Sequence, residues 1–160
     1  MISHDVEAYI DGAETLRGFY GGVWPNFHDA EVVELHLWRG HLYPGEWDDR
    51  NIFPILTVKL LLLEATQSNA TGRGNDVLAT VRFHDVDALR LQDFNHNNSI
   101  VALTLNLQNR GFYTNGEPLP PKLLVNVEQG FGLAATFSCT RMEIVAAERA
   151  VPGPLGRAQS

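Results

Sequence analysis

The sequence is short of most features that mark a secreted, membrane-spanning or nucleic-acid-binding protein. It has one cysteine, Cys139, so no internal disulfide forms and an oxidised scaffold is excluded. Cys139 ends the apolar run Phe137-Ser138-Cys139, the setting of a buried structural thiol rather than a nucleophile. The longest purely apolar run, Leu60 to Leu63, falls far short of the ~20 residues that a membrane helix needs. The opening Met1-Ile2-Ser3-His4-Asp5 lacks the basic and apolar segments of a secretion signal, so the expected location is the cytoplasm. Basic side chains are scarce: 12 Lys and Arg stand against 19 Asp and Glu, a net charge of −7. Binding to nucleic acid requires the opposite balance, because lysine and arginine must displace counterions from phosphate.

The motifs of common catalytic sites are missing as well. There is no Gly-x-Ser-x-Gly elbow, and Gly72-Arg73-Gly74 lacks the Gly-Lys-Ser/Thr end of a phosphate loop. No His-x-x-x-His or Cys-x-x-Cys pair fixes two metal ligands locally. The expectation is a non-enzymatic chain with no cofactor, no metal, no nucleic-acid partner and no membrane.

What is present is a chain of 160 residues, 44% of them hydrophobic, enough for one domain with a real core. We expect a single domain over residues 1–150 and a flexible C-terminal tail over 151–160, where Pro152, Gly153, Pro154 and Gly156 fall close together. The acidic surplus is confined to the first third. Residues 1–50 hold ten acidic and three basic side chains, and the remainder is balanced. Such a charge distribution favours solubility and attracts a basic partner.

Periodicity predicts a mainly β protein of the α+β kind. Val6, Tyr9, Ile10, Ala13 and Leu16 recur at helical spacing over residues 5–20, with Gly12 weakening the middle. From Glu31 the period becomes two. Val33, Leu35 and Leu37 alternate with Glu34, His36 and Trp38 over Glu31–Trp38. Further strands are predicted at 55–64, 77–83, 86–91 and 99–107. In the last of these Val101, Leu103, Leu105 and Leu107 share a face. A hairpin over 123–138 and a strand over 141–147, with a short helix as the alternative there, complete the set. Short polar loops between strands imply antiparallel pairing. The expected architecture is an N-terminal helix packed on a curved antiparallel sheet or two-layer sandwich of about seven or eight strands.

Three groups of residues stand out chemically. The tripeptide Phe-His-Asp occurs twice, at 27–29 and 83–85. His28, Asp29, Glu31, His84, Asp85 and His96 could hold a metal or ligand only if distant segments converged. The simpler reading anchors Phe27 and Phe83 in the core and has Asp29 and Asp85 bonding turn backbone. Asn95-His96-Asn97-Asn98 reads as a structured tight turn or, alternatively, a polar recognition surface. Trp47 sits between Glu46 and Asp48-Asp49 in a predicted exposed loop, joining an aromatic anchor to steering charge.

The stretch Tyr20-Gly21-Gly22-Val23-Trp24-Pro25-Asn26-Phe27-His28-Asp29-Ala30-Glu31-Val32 resembles the opening signature of the immunity protein 50 family of bacterial polymorphic toxin systems. Phe83, Leu89-Arg90-Leu91 and Phe94-Asn95-His96-Asn97-Asn98-Ser99-Ile100 are similar to its second signature, an aromatic strand followed by an Asn-rich turn and an apolar strand. This chain reads His96-Asn97-Asn98 where the family pattern has a glutamine among the asparagines. The resemblance implies a protein that binds and neutralises a co-encoded toxin, with no catalytic residues to carry over. The motif positions are Trp24, Pro25, Phe27, His28, Asp29 and Glu31. The expected partner is a cognate toxin of basic character, with a homo-oligomer left open.

Overall fold

The computed structural model describes residues 2–40, 54–67 and 75–151. The acidic cluster Glu46, Asp48, Asp49 with Trp47, and the tail from Pro152 onward, lie outside the described residues.

Among the described residues, nine strands form two sheets. The first has the order β1(Ile10–Asp11), β9(Arg141–Arg149), β4(Val77–His84), β3(Ile55–Leu62), β2(Glu31–Trp38). The second has the order β5(Asp87–Gln92), β8(Ala134–Cys139), β7(Lys122–Gln129), β6(Ile100–Gln108). All pairings are antiparallel except β1 beside β9. The strand expectation holds segment by segment from Glu31 to the end.

The N-terminal helix does not form as one element. α1 covers His4–Glu7 and α2 covers Ala13–Arg17, with β1 between them. Gly12 adopts φ +75°, and a Cβ there would come within 2.6 Å of the Ile144 carbonyl oxygen. The chain turns at that glycine so that Ile10 and Asp11 extend the large sheet, and Met142 N–H donates to the Tyr9 carbonyl at 3.0 Å. Arg141 fastens the added strand through its guanidinium, donating to both Asp11 oxygens at 2.7 and 2.5 Å. Those bonds hold the Asp11 carboxyl below its ordinary range. Helical spacing still described which residues are inside: Val6, Ile10, Ala13 and Leu16 are all buried.

The inner faces of the two sheets share one core. Val81 and Phe83 of β4 and Leu56 of β3 join Leu123 and Val125 of β7 and Phe137 of β8. Phe83 and Phe137 meet edge to face at 4.9 Å, bridging the layers. The sulfur of Cys139 lies in this core, fully buried, and burial pushes its thiol up to about 12.

Four of the pairings slip register among the described residues, and the slips in β2 and β6 reverse an alternation expected from the sequence. β2 slips register between Val32 and Glu34, and β6 between Ile100 and Ala102. An extra residue in one strand reverses the side-chain alternation beyond it. Val32, not Val33, is therefore the buried partner of Leu35, and Ile100 faces inward while Val101 is exposed.

Tyr20 is buried to 2% exposure, yet its hydroxyl has no hydrogen-bond partner among the described residues. Burial, with Asp76 adding to it, pushes this phenol up to about 12. An unpaired buried hydroxyl is a cost that the phenylalanine side chain avoids. Tyr20→Phe is expected to leave stability unchanged or raise it by up to about 1 kcal/mol, read from the urea midpoint. A loss of more than ~1 kcal/mol would mean that the hydroxyl has a partner.

Candidate functional site

The two segments that carry the sequence resemblance meet at one corner, where the edges of the two sheets approach. A bridge pairs Glu31 with Ser99. Around it, Asp29 N–H donates to the Ile100 carbonyl at 2.8 Å, Ile100 N–H to Ala30 at 2.9 Å, and Val32 N–H to Asn98 at 3.0 Å. Two of the strand irregularities, at Val33 and Val101, lie beside this junction. The bulges let two strands from different layers turn toward each other.

Asn98 is the hub of the corner and is 2% exposed. Its amide nitrogen Nδ2 donates to the carbonyls of Asn95 at 2.7 Å and Val32 at 3.2 Å. Its Oδ1 accepts from the main-chain N–H of Asn95 at 2.9 Å and Leu133 at 3.2 Å. Its own N–H donates to Glu31 Oε1 at 2.6 Å. Asn95 Oδ1 accepts from Asn97 N–H at 2.8 Å, closing the turn. Gly132 completes the fit. It has φ +68°, and a Cβ there would stand 2.5 Å from Asn98 Oδ1. The asparagine-rich stretch is thus a structured turn, and Glu31 is a main-chain acceptor rather than a free carboxylate. Sequence reading placed the turn but missed Glu31 as its partner, since the two are 67 residues apart.

The other motif residues also build the fold. Trp24, Pro25 and Phe27 are buried, and the Trp24 and Phe27 rings lie 5.7 Å apart. Asn26 clasps Gln67 in both directions: its N–H donates to Gln67 Oε1 at 2.8 Å, and its carbonyl accepts from Gln67 Nε2. The Phe-His-Asp repeat is a repeated turn. Phe27 and Phe83 are core residues, and Asp29 and Asp85 both adopt left-handed φ, +63° and +57°. Aspartate is among the few side chains that tolerate this conformation. Instead of the expected turn backbone, the Asp85 carboxylate accepts, among the described residues, from the Thr140 hydroxyl at 2.6 Å.

The candidate metal residues do not converge. His28 Nδ1 donates to the Val101 carbonyl at 3.0 Å, His84 pairs with Glu143 at 2.9 Å, and Glu31 is taken by Asn98. Among the described residues no three His, Cys, Asp or Glu stand together as a metal-holding group.

What the corner exposes is different from what it buries. Phe131 is 67% exposed and Phe94 49%. Val101 is also exposed, as are the side chains of His28, Asp29, Asn95, His96 and Asn97. These residues are neighbours. Phe131 N–H donates to Ser99, and a Cβ on Gly130 would lie 3.6 Å from Val101. Large exposed aromatics beside polar turns are the composition of an interface centre.

A groove of about 750 Å³ opens on another side of β6, between its outer edge and the segment from Tyr20 to Phe27 with α1. Among the described residues no helix is long and apolar enough to cross a membrane. Compared with known proteins, the chain matches no family model, no curated protein and no solved structure. The resemblance therefore stands on the quoted residues alone.

Proposed function

We propose that this chain is a non-enzymatic binding protein that captures and neutralises a toxin encoded beside it, acting in the cytoplasm of the producing cell. The observation that carries this reading is the corner itself. The two stretches that resemble immunity-family signatures interlock there through Asn98 and Glu31, and the same corner presents Phe94, Val101 and Phe131 to solvent. The acidic balance of residues 1–50 adds long-range attraction for a basic partner, which acts mainly on the association rate.

The test is co-production of the chain with the product of the neighbouring reading frame. Growth is expected to be rescued, and the purified pair is expected to bind tightly at low salt and more slowly as salt rises. Phe131→Asp is expected to weaken binding by about 2 kcal/mol or more if the ring is an anchor, mainly through faster dissociation. Because Phe131 is exposed, the change should leave the melting temperature nearly unaltered. Failure of any neighbouring product to bind would remove the toxin reading.

A further inference from the structure

β6 is the last strand of the small sheet, and no strand among the described residues pairs with its outer edge. Its inner edge pairs with β7 along its whole length. On its outer edge, the Asp29–Ala30 turn bonds only Ile100. From Ala102 to Gln108, no main-chain hydrogen bond reaches that edge from any described residue.

The groove runs along this edge. Ala102, Leu103, Thr104, Leu105, Asn106 and Leu107 all border it. Successive side chains of a strand point to opposite faces, so a space touched by all six lies beside the strand rather than over one face. The facing wall mixes apolar residues, among them Ile2, Val23 and Trp24, with polar Ser3, Asn26 and Gln67. One wall thus offers main-chain donors and acceptors without a partner among the described residues, and the other offers a mixed apolar and polar surface. An extended peptide needs both.

The remaining edges are protected in ways that β6 is not. β2 carries Glu31 and Glu34 and a bulge, β5 carries Asp87 and Arg90 and a register break, and β1 is two residues long. β6 has nine residues, Ile-Val-Ala-Leu-Thr-Leu-Asn-Leu-Gln, without a charge or a proline. Charges, irregularities and shortness are the usual guards against strand addition; the irregularity of β6, at Val101, precedes the stretch Ala102–Gln108, which carries none of these guards. Among the described residues, the charged residue lining the groove is Asp5, in a chain of net charge −7. That balance favours a segment bearing lysine or arginine.

We propose that β6 binds an extended segment of a partner protein as an added strand. The segment is about six residues long, spanning about 20 Å, with apolar side chains at alternate positions and at least one basic residue. This deepens the binding role above, and rests on it only in taking the partner to be a protein.

The probe is a library of random decapeptides displayed on phage and selected on the full chain. Enriched sequences are expected to alternate apolar and polar residues and to carry Lys or Arg. A synthetic copy is expected to slow hydrogen exchange of alternate β6 amides between Leu103 and Gln108. N-methylation of alternate peptide amides should weaken it at least tenfold, and so should Val23→Asp on the facing wall. Val145→Asp, at an equally exposed site on β9, should leave binding unchanged. Enrichment without an alternating pattern, or binding indifferent to N-methylation, overturns the proposal. So does protection of those amides in the free protein, whether constant (the chain covers its own edge) or rising with protein concentration (a second copy does). Peptide binding without any toxin partner would leave the groove standing and remove the toxin reading. A neutralised toxin whose binding ignores Val23→Asp and leaves β6 exchange unaltered would do the reverse.

Discussion

Asn98→Leu is expected to lower the unfolding free energy by on the order of 3–5 kcal/mol, although the two side chains are similar in size. The substitution strips four hydrogen bonds at a site that is 2% exposed. It leaves the carbonyls of Val32 and Asn95 and the N–H groups of Asn95 and Leu133 without their partner. The orphans at Val32 and Leu133 are buried and cost about 1–3 kcal/mol each, those at Asn95 are part-buried and cost less, and relaxation of the turn recovers part of the total. Against an ordinary stability of about 5–15 kcal/mol, such a loss removes between about a fifth and all of the total, and at the low end leaves the protein barely folded. A urea titration measures it as a fall in midpoint at constant slope. A loss below ~1 kcal/mol would mean that water reaches the turn and replaces the amide. Asn98→Asp separates hydrogen bonding from shape. It keeps an acceptor for Asn95 and Leu133 but turns the Nδ2 donor into an anionic oxygen facing two carbonyls. It is expected to be comparably damaging at neutral pH and less so in acid, where a protonated carboxyl donates again.

Phe137→Ala is expected to cost about 3–5 kcal/mol, the range for emptying an aromatic site in a packed core. Phe137 is 4% exposed and stands edge to face with Phe83 across the layers. Phe83→Ala should cost a similar amount. The double variant should cost less than the sum of the two, by the ~0.5–1.5 kcal/mol that aromatic pairs contribute beyond burial. Full additivity in denaturant unfolding would show that the two rings fill separate parts of the core.

The strands were legible in the sequence because alternation is a local signal, and from Glu31 onward nothing outside each segment overrides it. The exceptions are physical. Gly12, whose φ of +75° only glycine adopts readily, converts a helical pattern into two short turns around a strand. The apolar spacing survives because burial, not helicity, selects those residues. At Val33 and Val101 the pattern Val-Val or Ile-Val is apolar on both sides of the slip, so hydrophobicity alone cannot register a bulge. The site was legible only as pieces. The Asn-rich turn and the aspartates of Phe-His-Asp declare turn chemistry through their own side chains. The clasp of Asn98 on Glu31 is long-range, and only the meeting of two sheet edges creates it. The open edge of β6 was hidden for a related reason. Val101, Leu103, Leu105 and Leu107 read as a clean strand, and no local pattern says which strand of a sheet comes last.

The single sulfur gives this chain an internal clock. Cys139 has no exposed surface in the folded protein, and its proton is held to about pH 12. A water-borne alkylating agent consumes thiolate only, so it must wait until the two layers part around β8. The rate of consumption relative to that of an unstructured cysteine is then the fraction of time the molecule spends open. No second thiol blurs the count. If the layers separate only on global unfolding, that fraction lies at or below about 10⁻⁴ for any stability above about 5 kcal/mol. Occupation of the chain by a partner should slow the clock by the same factor with which the partner stabilises the fold. One mass shift, followed over hours, thereby measures binding without a label and without knowing where on the surface the partner sits.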